Sequence, residues 1–140
     1  MVTPRLRQVV FDTVDPRKSA EFWRQFLGLA YQPGHEPPPR GTPDEAGSDW
    51  LNLLTPEGQR YLSFQHVEHL VQSTWPDSTT PQQMHLDLSV PTVADLESAI
   101  IAAKALGGRV ILDESGDENG NLFVLADPDG HPFCVFVPEE

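Results

Sequence analysis

The same order of secondary-structure patterns occurs twice in this chain, and this repeat limits the fold more than any single motif does. In the first half, a strand pattern at residues 5–12 precedes a helix pattern, a short segment at residues 29–32, and two strands, "WLNLL" and "YLSFQHV". In the second half, "QMHLDLSV" precedes a helix pattern and three strands, "RVILDE", "NLFVLADPDG" and "PFCVFVP". We therefore predict an α+β fold of two β-α-β-β-β modules, at about residues 5–66 and 83–138, with a linker at residues 67–82.

Each predicted module has one helix, which can cover only one face of its small sheet. The other face must be covered by the other module, by a second chain or by a ligand. We expect the 140 residues to form a single domain. Whether the modules pair within one chain or across two remains open at this stage.

The residues at the ends of the two helix patterns support their assignment. Asp15 is a good N-cap and Pro16 suits the first helical position, while Gly28 is typical of a C-terminal stop. In the second helix, Thr92 and Asp95 resemble a capping box. The predicted apolar stripes contain Ala20, Trp23 and Leu27 in the first helix, and Val93, Leu96, Ile100 and Ala103 in the second.

Composition argues against several classes of protein. The net charge is −12, from 21 acidic and 9 basic residues, so the chain lacks the basic surface that nucleic-acid binding needs. The same charge favours encounter with cationic ligands, although acidity also serves solubility. The single cysteine excludes an internal disulfide, and no apolar run is long enough for a membrane span. We expect a cytoplasmic protein with no membrane or nucleic-acid partner.

Alternation along the strands assigns polar side chains to the face opposite each helix. His85 and Asp87 share a face in "MHLDLSV", opposite Met84 and Leu86. In the remaining strands, the pattern aligns Gln8 with Asp12, Ser63 with Gln65, and Cys134 with Pro132 and Phe136. A polar face is most often simply solvated. The aromatic residues Trp50, Tyr61, Phe64 and Trp75 could line a ligand pocket, although packing in the core is their ordinary role.

The stretches "VDPRKSAEFWRQFLGL", "MHLDLSV" and "VLADPDGHPFCVF" resemble the vicinal oxygen chelate superfamily, and most of all its glyoxalase-like branch. This superfamily includes glyoxalase I, bleomycin-resistance proteins and extradiol dioxygenases. The resemblance implies curled sheets around a central cleft, and a homodimer. It also implies that four positions line the cleft and, in the metal enzymes of the superfamily, bind the metal. In this sequence they match Gln8, Gln65, His85 and Cys134.

Two hypotheses about function follow from the resemblance. The first is a small-molecule binding protein with no expected cofactor. The resemblance implies a metal site that usually includes a carboxylate, whereas these four positions contain none, and Cys134 is better explained as a small buried apolar residue. Its ligand would be cationic or aromatic. The second is a metal-dependent lyase, isomerase or dioxygenase that uses a divalent metal on His85, Gln8 and Gln65, with Cys134 or Asp87. An accessory domain without a ligand is a third alternative. The expected ligand-binding cleft contains Gln8, Asp12, Trp50, Phe64, Gln65, Trp75, His85, Asp87 and Cys134.

Overall fold

A computed structural model describes residues 1–116 and 121–139, and these form two compact units, Met1–Leu70 and Val71–Glu140. Each unit contains one α-helix and a four-stranded mixed sheet. The strand orders are equivalent, β1-β4-β3-β2 in unit one and β5-β8-β7-β6 in unit two. In both sheets the first and last strands of the unit run parallel, and the other pairs are antiparallel. The predicted α+β fold of two β-α-β-β-β modules is confirmed.

Unit one begins with a strand and a helix whose ends follow the capping residues in the sequence. Its elements are β1 (Val9–Thr13), α1 (Pro16–Leu27), β2 (Ala30–Tyr31), a short 3-10 helix (Ala46–Ser48), β3 (Trp50–Leu54) and β4 (Arg60–His66). The Asp15 carboxylate accepts a hydrogen bond from the backbone N–H of Lys18 and caps α1. Gly28 ends the helix in the left-handed conformation, at φ 67°.

Aromatic packing joins α1 to one face of its sheet. Phe11 of β1 stacks on Trp23 of α1, with ring centroids 5.6 Å apart, and on Phe64 of β4 at the same distance. Trp23 and Phe64 are fully buried, as are Leu51 and Leu53 of β3. Because strand side chains alternate, this packing leaves the other face of β1, β3 and β4 directed away from α1.

Unit two has the same arrangement with different core residues. Its elements are β5 (Leu86–Ser89), α2 (Val93–Ala105), β6 (Arg109–Asp113), β7 (Leu122–Ala126) and β8 (Pro132–Phe136). The Thr92 hydroxyl oxygen accepts a hydrogen bond from the Asp95 N–H, and the hydroxyl donates to the Asp95 carboxylate. This is a variant of the predicted capping box. Leu96, Ile100 and Ala103 of α2 are buried.

Three local predictions differ from the structure. The first strand begins at Val9 rather than at residue 5, and the strand predicted at residues 83–90 is limited to Leu86–Ser89. Met84 is 75% exposed, because it precedes β5 and has no strand neighbour there. Val93 is exposed as well, since it is the first residue of α2 and lies outside the buried stripe. Among the described residues, no helix has both the length and the apolar character to cross a membrane.

Candidate functional site

Most of the polar strand side chains of unit one lie on the sheet face directed away from α1. The strand register aligns residues of β1, β4 and β3 in two neighbouring rows on this face. The rows are Asp12, Gln65 and Trp50, then Val10, Ser63 and Asn52. We call these six residues the polar face. The row of Asp12, Gln65 and Trp50 combines a carboxylate, an amide and an indole that are at least partly exposed, which suits hydrogen bonding with a small molecule. In the other row, Ser63 and Asn52 are buried.

Asn52 is the centre of a hydrogen-bond network on the polar face. The side chain is almost fully buried, with the residue 4% exposed, and its Oδ1 accepts from Trp50 Nε1 and from the Ser63 hydroxyl, both at 2.6 Å. Its Nδ2 donates to Gln32 Oε1 at 2.9 Å. Buried polar groups are stable when their hydrogen-bonding capacity is used in this way. The network therefore holds Trp50 and Ser63 in fixed positions.

His35 extends the network into the loop that follows β2. Its Nδ1 accepts the backbone N–H of Asn52 at 2.9 Å, while the Gln32 N–H donates to the Asn52 carbonyl at 3.0 Å. A side-chain nitrogen thus takes the place of a strand carbonyl at the edge of the sheet. Burial lowers the pKa of His35, and the charges of Arg60 and Arg17 lower it further. This favours the neutral ring, whose Nδ1 can accept a hydrogen bond.

Arg17 fastens the loop at residues 33–49 to α1. Its Nε and Nη2 donate to the Asp44 carboxylate at 2.8 and 2.9 Å, and its Nη1 donates to the His35 carbonyl at 2.7 Å. The guanidinium also lies 4.8 Å from the centroid of the Tyr31 ring. The loop is therefore attached at both His35 and Asp44, which keeps the His35 ring beside Asn52.

The two glutamines at expected metal positions are engaged in hydrogen bonds within unit one. Gln8 lies just before β1, and its Oε1 accepts from Arg60 Nη1 at 3.2 Å. Gln65 Nε2 donates to Asp12 Oδ1 at 3.4 Å. A guanidinium beside Gln8 opposes a bound cation by charge repulsion. Both amides are thus better suited to hydrogen bonding than to metal ligation.

The other two expected positions lie in unit two and come together with a carboxylate. Asp87 of β5 pairs with Cys134 of β8, and His85 Nε2 lies 3.2 Å from Asp87 Oδ1. One ligand atom from each of these three residues lies within 4.8 Å of the others. Cys134 is 6% exposed, and burial raises the pKa of its thiol to about 11. The negative charge of Asp87, the hydrogen bond between Asp87 and the thiol, and the negative charge of Glu114 also raise this pKa. The thiol is therefore protonated at neutral pH.

Two aromatic residues of the expected cleft lie in different environments. The Trp75 ring stacks on His85, with centroids 6.1 Å apart and planes inclined by 14°, so it borders the His85, Asp87 and Cys134 cluster. Phe64 is fully buried against Phe11 in the core beneath α1. It lies on the opposite face from Gln65, because neighbouring strand residues alternate.

The donor chemistry decides how well these residues fit the divalent metal that the resemblance implies. Neutral amides at Gln8 and Gln65 and a thiol at Cys134 do not match the carboxylate-containing set of the metal enzymes. Within unit two, however, Asp87 supplies a carboxylate on the strand next to Cys134. His85, Asp87 and a deprotonated Cys134 would suit a zinc ion, which accepts nitrogen, sulfur and oxygen ligands.

Sequence reasoning did not identify Asn52, Gln32 or His35 as members of the network. One signal was available, because Asn52 interrupts the apolar strand "WLNLL" with an amide at a position that proves to be buried. Its partners could not be read from the pattern. They depend on the path of a loop rich in proline and glycine, which strand periodicity does not describe.

Comparison with known proteins agrees with the fold described above. Residues 8–136 match the family model described as a glyoxalase-like domain. No curated protein matches the chain.

Several solved structures share the fold at low sequence identity. The fosfomycin resistance protein FosX from Listeria monocytogenes is 14% identical, with a TM-score of 0.66, covering 99% of this chain and 96% of its own. A glyoxalase/bleomycin resistance protein/dioxygenase family enzyme from Burkholderia phytofirmans is 16% identical, with a TM-score of 0.64 and coverage of 94% and 96%. A glyoxalase/dioxygenase from Nostoc punctiforme is 18% identical, with a TM-score of 0.63 and coverage of 100% and 97%.

Proposed function

We propose that this chain, which belongs to the glyoxalase-like domain family of the vicinal oxygen chelate superfamily, is a binding protein for a small aromatic or cationic molecule. The observation that carries this proposal is the polar face of unit one. Asn52 fixes the partly exposed Trp50 through a short hydrogen bond and is itself bonded to the buried Ser63, so the indole that would contact a ligand is ordered before the ligand binds. Such preorganisation reduces the entropy lost on binding.

The composition of the polar face supports the proposed class of ligand. Trp50 provides an aromatic surface, and the exposed Asp12 in the same row provides a negative charge. A cation above an indole ring is attracted to the face of the ring, and a nearby carboxylate adds to this attraction. The net charge of −12 would favour the encounter. The exposed amide of Gln65 offers hydrogen bonds that would select among ligands of similar charge.

Titration with a panel of aromatic cations, followed by thermal shift and calorimetry, tests the proposal. We expect at least one member to bind, and Asp12→Asn to weaken that binding. Glu97→Gln is the matched control, because it removes one negative charge from an exposed position of α2. The proposal fails if no panel member binds, or if both variants weaken binding equally, since only the net charge would then matter.

A metal-dependent lyase, isomerase or dioxygenase is the second candidate, favoured by the 4.8 Å cluster of His85, Asp87 and Cys134. These residues would hold a zinc ion, which when bound acts as a Lewis acid toward a substrate oxygen. Elemental analysis of protein purified without chelators tests this candidate. A stoichiometric metal that is lost in His85→Ala supports it, and metal-free protein that also takes up no zinc on titration removes it.

The predicted cytoplasmic location and homodimer remain part of this proposal. The dimer rests on the family resemblance alone. Sedimentation equilibrium at several protein concentrations distinguishes a dimer of about 31 kDa, twice the 15.6 kDa chain, from a monomer. A single species at the mass of one chain across the range would contradict it.

A further inference from the structure

The turn between β7 and β8 brings three side chains with metal-binding groups together, separately from the cluster at Cys134. Asp127, Asp129 and His131 alternate along "DPDGH". Each offers one ligand atom, and these atoms all lie within 4.8 Å of one another. Two carboxylates and an imidazole form a donor set that suits divalent ions such as manganese, iron and zinc.

Hydrogen bonds hold this turn in one conformation. Asp127 Oδ1 accepts the backbone N–H groups of Asp129 and His131, each at 2.9 Å. The Asp127 N–H donates to the His131 carbonyl, and the Gly130 N–H donates to the Asp127 carbonyl, also at 2.9 Å. Gly130 adopts φ 90°, a conformation that a residue with a Cβ would strain. The three side chains are thus projected from a fixed backbone rather than from a mobile loop.

Asp129 provides an independent indication that a cation belongs here. The residue is only 9% exposed, and its Oδ2 is buried with no hydrogen-bond partner among the residues that the structure describes. Removing a carboxylate oxygen from water without a hydrogen bond or a countercharge is unfavourable. A cation bound between Asp129, Asp127 and His131 would provide the missing countercharge.

We propose that Asp127, Asp129 and His131 bind a divalent metal ion. Three protein ligands leave further coordination positions for water. The ion would join the two ends of the turn, and it would stabilise the folded protein because the unfolded chain does not hold these groups together. This site is distinct from the positions Gln8, Gln65, His85 and Cys134 implied by the family resemblance.

Manganese titration followed by ¹H–¹⁵N NMR tests the proposal and locates the site. We use a His85→Ala/Cys134→Ser background, in which the other cluster cannot bind. Paramagnetic broadening by sub-stoichiometric Mn²⁺ is expected first at the amides of residues 127–131, together with a rise in the thermal midpoint. Broadening centred on other residues, or none at millimolar Mn²⁺ and Zn²⁺, would overturn the proposal.

Asp129→Asn in the same background is the second test. It removes the charge of the unpartnered carboxylate but keeps the size of the side chain, and Asp127 continues to hold the turn. Loss of an outer-shell partner typically weakens metal binding by about 10–100-fold, and loss of a ligand should cost at least as much. Asp113→Asn is the matched control, because Asp113 is exposed and asparagine can still accept the hydrogen bond from Ser115. Unchanged metal affinity in Asp129→Asn would refute the assignment of this ligand.

Discussion

Replacing Asn52 with alanine removes three side-chain hydrogen bonds and tests whether the polar face depends on one central residue. Ser63 is fully buried, so its hydroxyl would lose its partner with no access to water. Leaving such a group unsatisfied costs about 1–3 kcal/mol. Trp50 and Gln32 are partly exposed and can recover some hydration, so each should add about 0.5 kcal/mol. We expect Asn52→Ala to lower the free energy of unfolding by about 2–4 kcal/mol.

Urea denaturation followed by far-UV circular dichroism and tryptophan fluorescence measures this loss. Ser63→Ala provides the comparison, since it removes the donor and leaves the Asn52 amide bonded to Trp50 and Gln32. The double variant has no unpaired hydroxyl, so it should be more stable than the sum of the single losses predicts, by about 1 kcal/mol. A loss below about 0.5 kcal/mol in Asn52→Ala, or strict additivity in the double variant, would refute the reasoning.

Two further predictions concern the loop at residues 33–49. The pKa of His35 is lowered on folding, so its contribution to stability is complete above about pH 6.5 and is lost as the pH falls below that value toward the folded-state pKa. Urea unfolding from pH 7.5 to 5 should therefore show a smaller loss of stability in His35→Ala than in wild type; parallel curves contradict this. Asp44→Asn weakens the paired contact with Arg17, so the free energy of unfolding should fall by about 1–2 kcal/mol and backbone hydrogen exchange in the loop should become faster. Asp49→Asn is the control and should leave the exchange rate unchanged.

Features encoded by neighbouring residues were predicted from the sequence more completely than features that depend on strand partners. Helix ends at Asp15, Gly28 and Thr92 follow from local capping chemistry, and the structure confirms them. The length of β5 does not follow from its own pattern. Its pairing begins with Leu86 opposite Phe133, and the preceding residue of β8 is Pro132, which has no N–H to donate. Residues 83–85 continue the alternating pattern but therefore do not extend the pairing of β5 with β8.

The candidate site shows the same limit more strongly. Alternation correctly places Ser63 and Gln65 on one face, because that relation is internal to a strand. The hydrogen bond between Asn52 and His35 joins residues separated by a loop. The attachment of that loop to Arg17 depends on Asp44, which lies within the loop. No periodicity relates these positions. Only the folded path of the loop reveals that His35 completes the edge of the sheet.

In both units, the pairing of the first and last strands places an aspartate opposite an expected ligand position, although the residue at that position differs. In unit one, Asp12 is opposite Gln65, and in unit two, Asp87 is opposite Cys134. Each aspartate lies beside a position where the superfamily resemblance implies a metal ligand. Asp12 accepts a hydrogen bond from the Gln65 amide, and Asp87 helps to keep the Cys134 thiol protonated.

The carboxylate that is missing from these ligand positions is therefore present on the adjacent strand in both units. From the adjacent strand, the aspartate carboxylate favours a neutral, hydrogen-bonded side chain at the ligand position over a negatively charged one. A metal at His85 and Cys134 would have to displace the same proton that Asp87 retains, whereas a ligand that forms hydrogen bonds requires no such displacement. For this reason the proposed binding function would need fewer changes in the arrangement of these residues than the alternative metal-dependent reaction would.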